Sequence, residues 1–250
     1  MTRTIFVGDV HGCLAELDAL LAVAEPRAGD RFVFVGDLVD RGPDSVGVVR
    51  RVRELVERYP GSASVAGNHE VKALRRWDRG VSGQPWTERA SDEDWAFLDG
   101  LPLVWRDAAL GAVVVHGGFY PAYFEAEGDV GEVASDWRTA RDKRSKRQQR
   151  FVYVRQVNVE GQMLSLDRCS PEHDHWTDRY DGREGFALFG HDPQLEPPEP
   201  LVAEHALGLD TGCCFGGRLT AAVVEGDARA YATISVPAFG QYAVPLPINR

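Results

Sequence analysis

Five short apolar runs along this chain each stop at a polar residue flanked by glycine. Residues 4–7 lead into Gly8-Asp9, 31–35 into Gly36-Asp37, 62–66 into Gly67-Asn68, 112–115 into His116-Gly117-Gly118, and 186–189 into Gly190-His191. Apolar runs of this length without polar alternation predict strands buried on both faces. Between the first runs, Leu14, Leu17, Leu20 and Leu21 recur at helical spacing, so residues 14–24 are expected to be helical. Residues 45–59 read as a second helix ended by Pro60-Gly61, and a third begins near Glu70. Buried strands alternating with helices predict a parallel-rich sheet, whose ligands sit at the carboxyl ends of the strands. Asp9, His11, Asp37, Asn68, His116 and His191 therefore share one rim. After them come a Pro/Glu-rich connector (193–200) and a tail of short strands and turns (202–242). With no internal repeat and no linker, residues 1–250 are read as a single domain.

Composition narrows the function. The 250 residues are 44% hydrophobic and 26% charged, as in ordinary globular chains. No apolar run is long enough to span a membrane as a helix. Strand residues start at about position 4, leaving no room for a signal peptide, and the four cysteines (13, 169, 213 and 214) have no CxxC spacing. A reduced, cytoplasmic chain is expected. Cys213 and Cys214 read as small buried residues close to backbone. The net charge of −10 argues against stable nucleic-acid binding, although a cationic metal site can still take a small polyanion. No feature of the sequence indicates an oligomeric state.

The rim residues carry the chemistry. Two Asp, three His and one Asn make a mixed nitrogen and oxygen donor set. Such sets suit Mn, Fe, Co, Ni or Zn better than Ca or Mg. Six donors are too many for one open catalytic ion. They suit two divalent ions about 3.5–4 Å apart that share a carboxylate.

In order, the motifs GDVHG (8–12), GDLVDRG (36–42), GNHE (67–70), HGG (116–118) and GH (190–191) resemble those of the phosphoprotein-phosphatase-type, calcineurin-like metallophosphoesterases. The resemblance spans about residues 4–235. It implies an α/β fold, a four-layer α/β/β/α sandwich with two mixed sheets. It also implies that Asp9, His11 and Asp37 hold one ion and that Asp37, Asn68, His116 and His191 hold the other. Mn leads the metal candidates, with Co, Ni, Fe and Zn as alternatives. The resemblance further implies that a metal-bound hydroxide attacks phosphorus, that His69 protonates the leaving oxygen, that Asp40 orients His69, and that Arg41 binds phosphoryl oxygens. No motif is broken, as a non-catalytic binding module would require.

Two further stretches bear on the substrate. LDTGCCFGGRLT (209–220) and RFVYVRQVNVEGQ (150–162) resemble segments of bacterial symmetrical bis(5′-nucleosyl)-tetraphosphatases and related bacterial phosphatases. This implies cleavage of diadenosine tetraphosphate to two ADP, with Arg155 as a second phosphate clamp and Arg138 as the alternative clamp. The asymmetrical type matches less well, because its Tyr-Gly-Asp/Glu-Thr-Thr-Gly stretch has no counterpart here. The Glu of GNHE, where those tetraphosphatases often carry Asp, is common in protein phosphatases. A Ser/Thr or dual-specificity phosphoprotein phosphatase is the alternative. Glu70 itself reads as the cap of the helix it opens, and the six tryptophans read mainly as core.

Overall fold

The computed structural model describes residues 2–81 and 83–245. The first half runs β1 (Thr4–Val7), α1 (Leu14–Ala24), β2 (Arg31–Phe34), α2 (Ser45–Arg58), β3 (Ala63–Ser64) and α3 (Asn68–Trp77). Then come α4 (Asp92–Asp99), β4 (Val104–Asp107), β5 (Ala112–Val115), α5 (Pro121–Glu127) and α6 (Lys143–Gln148). The chain continues through β6 (Gln156–Val157), β7 (Asp174–His175) and β8 (Phe186–Phe189). It finishes with β9 (Leu201–Ala203), β10 (Ala206–Gly208), β11 (Arg218–Val224) and β12 (Tyr231–Pro237).

Two five-stranded sheets form, in the orders β12-β11-β1-β2-β3 and β4-β5-β8-β10-β9. Each has three parallel strands, β1, β2 and β3 in one and β5, β8 and β10 in the other. Each is completed by antiparallel strands, so both sheets are mixed.

Alternation along each strand explains why the apolar runs are continuous. Phe6 and Val33 of the first sheet pack with Val114, Leu188 and Leu207 of the second, forming the layer between the sheets. Their neighbours Ile5, Val7, Phe32 and Phe34 point the other way, onto Leu17 and Leu20 of α1 and Val49 and Val52 of α2. In the second sheet, Val113, Val115, Ala187 and Phe189 face outward with Tyr123 and Phe124 of α5. A strand sandwiched between a helix layer and another sheet has no wet face, hence no polar alternation. The result is the α/β/β/α sandwich. No helix among the described residues is long and apolar enough to cross a membrane.

Several boundaries differ from the sequence reading. The third run pairs only over Ala63–Ser64, because the Ala66 amide turns away to the Pro102 carbonyl at 2.9 Å. Helix α3 starts at Asn68, before Glu70. Helix α4 and strand β4, which the sequence reading did not include, carry their own signal: Ser91 and Asp94 cap α4 reciprocally. The tail divides between the sheets. β9 and β10 join the second, while β11 and β12 join the first.

Phe6 is 0% exposed and meets Trp105 edge-on at 5.8 Å between the sheets. Phe6→Ala is expected to lower unfolding free energy by about 3–5 kcal/mol in urea titration. Val159→Ala, at an exposed position, should stay within about 0.5 kcal/mol.

Candidate metal centre and active site

The six rim residues of the sequence reading converge where the parallel strands of both sheets end. The backbone there is bent beyond what side chains prefer. Among the described residues, six non-glycines lie in the left-handed region: His11, Glu25, Asp37, Asp40, Arg41 and His191. All but Glu25, which ends α1, belong to the expected site. Each such residue costs of order 1 kcal/mol or more, so the cluster is where the fold stores strain.

The donors are aimed inward by their other atoms. The Nδ1 of His116 lies 2.8 Å from the Val35 carbonyl, and that of His11 lies 2.9 Å from the Val39 carbonyl. The Nε2 of each ring then faces oxygens. For His116 these are Asn68 Oδ1 at 3.1 Å and Asp37 Oδ1 at 3.3 Å, and for His11 Asp37 Oδ2 at 3.4 Å. His191 Nδ1 reaches Asn68 Oδ1 at 2.8 Å, and its backbone amide donates to Asp9 Oδ2 at 3.0 Å.

This donor set calls for positive charge. Burial pushes Asp9 well above the usual carboxylate range, and the neighbouring Asp210 and Asp37 add to it. Asp9 Oδ1 is buried without a hydrogen-bond partner. Burial also pushes His11 down to about 3 and His191 well below its ordinary value, so both rings are neutral and offer lone pairs. Burial alone would raise Asp37, but His116, His69 and His11 outweigh it and hold the carboxyl well below its usual range. Neutral imidazoles, an ionised bridging carboxylate and an orphaned carboxylate oxygen fit divalent metal ions. Two groups of donor atoms within 4.8 Å could each hold an ion: His11, Asp37 and His69, and Asp37, His116 and His191. Asp37 belongs to both. The Nε2 of His69 has Arg41 Nη2 at 3.3 Å, and its Nδ1 is taken by Asp40.

His69 is placed differently. Its Nδ1 lies 2.7 Å from Asp40 Oδ2, and the other Asp40 oxygen accepts the Trp86 indole N–H at 2.7 Å. Burial works against a charged ring, yet Asp37 and Asp40 raise His69 above the ordinary imidazole value. Arg41 stacks over the Phe215 ring at 4.7 Å. Glu70 does more than cap α3. Its carboxylate accepts from the amides of Gly67 (2.8 Å), Asp37 (2.9 Å), Leu38 (2.9 Å) and Val39 (3.2 Å).

The two clamp candidates separate. Arg155 Nη2 donates to the His191 carbonyl at 2.8 Å, and Arg155 lines the cleft. Arg138 does not reach the cleft. It is held by Asp78 Oδ2 at 2.5 Å and by Asp99 Oδ1 at 2.5 Å, and these two carboxylates take up its charge at the C-terminal ends of α3 and α4. The sequence reading missed Asp210. It follows β10 as Asp37 follows β2, lies buried against Asp9, and is pushed by burial up to about 6. The apolar run 206–209 before Asp210-Thr211-Gly212 carries the same strand-end signal. Trp86 was read as core. It is buried, and its N–H also holds Asp40.

The cleft over this centre has a volume of about 660 Å³. Arg41, Lys72 and Arg155 supply its cations, and Leu166, Pro193, Leu195 and Phe215 an apolar wall.

A family model described as calcineurin-like phosphoesterase matches residues 2–210. The chain belongs to that family and is a hydrolase of phosphoric esters or anhydrides. It is 32% identical to a symmetrical bis(5′-nucleosyl)-tetraphosphatase of Chromohalobacter salexigens, over 87% of this chain and 93% of that protein. It is 27% identical to an asymmetrical bis(5′-nucleosyl)-tetraphosphatase of Oceanobacillus iheyensis, over 86% of each. A crystal structure of a candidate diadenosine tetraphosphatase superposes with a TM-score of 0.72 at 29% identity, covering 95% of this chain and 94% of the other. A cold-active protein-tyrosine phosphatase of a Shewanella species shares the fold at a TM-score of 0.64 and 15% identity, covering 94% and 80%.

The motif glycines are set by close approach. A Cβ at Gly67 would lie 2.1 Å from Asp37 Oδ1. Gly67→Ala is therefore expected to displace the shared carboxylate and lower metal bound per chain, by elemental analysis, with circular dichroism unchanged. Full metal content in the variant would show that Asp37 is not the shared ligand.

Proposed function

We propose that this protein hydrolyses dinucleoside tetraphosphates symmetrically, releasing two ADP from diadenosine tetraphosphate. The observation that carries the reading is the cleft itself. Three cations stand beside the donor cluster for a polyphosphate, and an apolar wall ending in Phe215 stands ready for a base. The name and identity of the Chromohalobacter relative support it.

Asp9, His11 and Asp37 would hold one divalent ion, and Asp37, Asn68, His116 and His191 the other, with Mn the leading metal. When bound, the pair supplies Lewis acidity and an activated water at neutral pH. The chain's own residues do the rest. Asp40, fixed by Trp86, orients His69 through Nδ1 and favours its protonated form. His69 then delivers a proton from Nε2 to the leaving oxygen. Arg41, steadied by Phe215, and Arg155, steadied by the His191 carbonyl, grip phosphoryl oxygens on either side. Glu70 is spent on four backbone amides and does not line the cleft, which weakens the pointer it gave toward phosphoproteins. The four free thiols suit a reducing compartment, and cytoplasmic residence is part of this reading, as is one domain over residues 1–250.

The test is product analysis by chromatography. Mn-loaded protein given diadenosine tetraphosphate should yield ADP alone. AMP plus ATP would overturn the symmetrical assignment, and faster turnover of a phosphoserine peptide would overturn the substrate class. Arg155→Ala should lower kcat/KM for the dinucleotide by about 1–3 kcal/mol, roughly 5- to 150-fold, with metal content unchanged.

A further inference from the structure

A second group of potential ligands lies behind the catalytic loops and takes no part in the chemistry above. Cys13 precedes α1, Glu16 lies in its first turn, and Cys213 follows the Asp210–Gly212 turn. We propose that Cys13, Cys213 and Glu16 form a separate site for one zinc-like divalent cation. Their two sulfurs and a carboxylate oxygen lie within 4.8 Å of one another. Cys13 and Glu16 are 0% exposed and Cys213 is 2% exposed.

The second observation is the Glu16 carboxylate. Its Oε1 accepts the Phe239 amide at 2.8 Å and the Tyr242 hydroxyl at 2.8 Å. Its Oε2 is buried and has no hydrogen-bond partner. A buried carboxylate oxygen without a donor is costly, and it belongs to the carboxylate grouped with the two sulfurs. A cation removes that cost. Two thiolates and one carboxylate select zinc over calcium or magnesium and supply three of its four tetrahedral positions.

The ion ties together three parts of the chain. Cys13 stands two residues after His11, Cys213 three residues after Asp210, and Glu16 anchors the segment around Phe239 and Tyr242. The site thus braces two catalytic loops from behind. It does not depend on which phosphoanhydride the enzyme cleaves.

Cobalt(II) substitution tests it, because thiolate ligation produces a near-ultraviolet charge-transfer band that nitrogen and oxygen ligands do not. The band is expected in wild-type protein, should persist in Asp37→Asn, and should vanish in Cys213→Ser. Zinc per chain should fall by one ion in the Cys13→Ser/Cys213→Ser double variant. Absence of the band in cobalt-loaded wild-type protein overturns the site whether or not the variants fold. A Cys13–Cys213 disulfide in the mass of unreduced protein overturns it as well.

Discussion

The Glu70 carboxylate is where the catalytic loops are held in register. It binds the amides of Gly67, Asp37, Leu38 and Val39 at once, so the turn after β2 and the start of α3 share one acceptor. Without it those amides would be buried and unpaired, at about 1–3 kcal/mol each. Asp37, its backbone fixed, is then pulled between His11 on one side and His116 on the other. The left-handed backbone at Asp37, Asp40 and Arg41 persists because these hydrogen bonds over-determine it.

Around that loop the fold concentrates charge that it cannot neutralise alone. Asp9, Asp37 and Asp210 are buried together, and burial keeps His11 and His191 uncharged. Divalent ions bound as proposed would complete such a core, and their binding would then be part of the stability of the folded state. The sandwich supplies the rigidity. Strands buried on both faces cannot shift to relieve the strain at their ends.

The same packing reaches His69, the proposed acid. Trp86 stacks at 5.4 Å on Trp95, which stacks at 5.4 Å on Trp77, so the indole that holds Asp40 is itself held by a ladder of rings. Core filling and positioning are here one role. Arg155 and Arg138 show the converse: two arginines equally suited by chemistry are separated by their partners, the His191 carbonyl for one and the Asp78 and Asp99 carboxylates for the other.

Much of the site was legible along the chain. Asp9, His11, Asp37, Asn68, His116 and His191 each follow a local pattern, an apolar strand ended by glycine and a polar residue, and strand ends are where such sheets bind ligands. Layering was legible for the same reason, since strands without polar alternation must be covered on both faces. The tertiary structure alone decided the rest: Asp210 beside Asp9, Trp86 on Asp40, Glu70 across two loops, Arg155 at the cleft and Arg138 away from it, and Cys13 beside Cys213. The contacts of Asp210 and Cys213 depend on β10 pairing with β8 and β11 with β1. They join residues up to two hundred positions apart, and periodicity reports only which face of an element is buried, not what covers it.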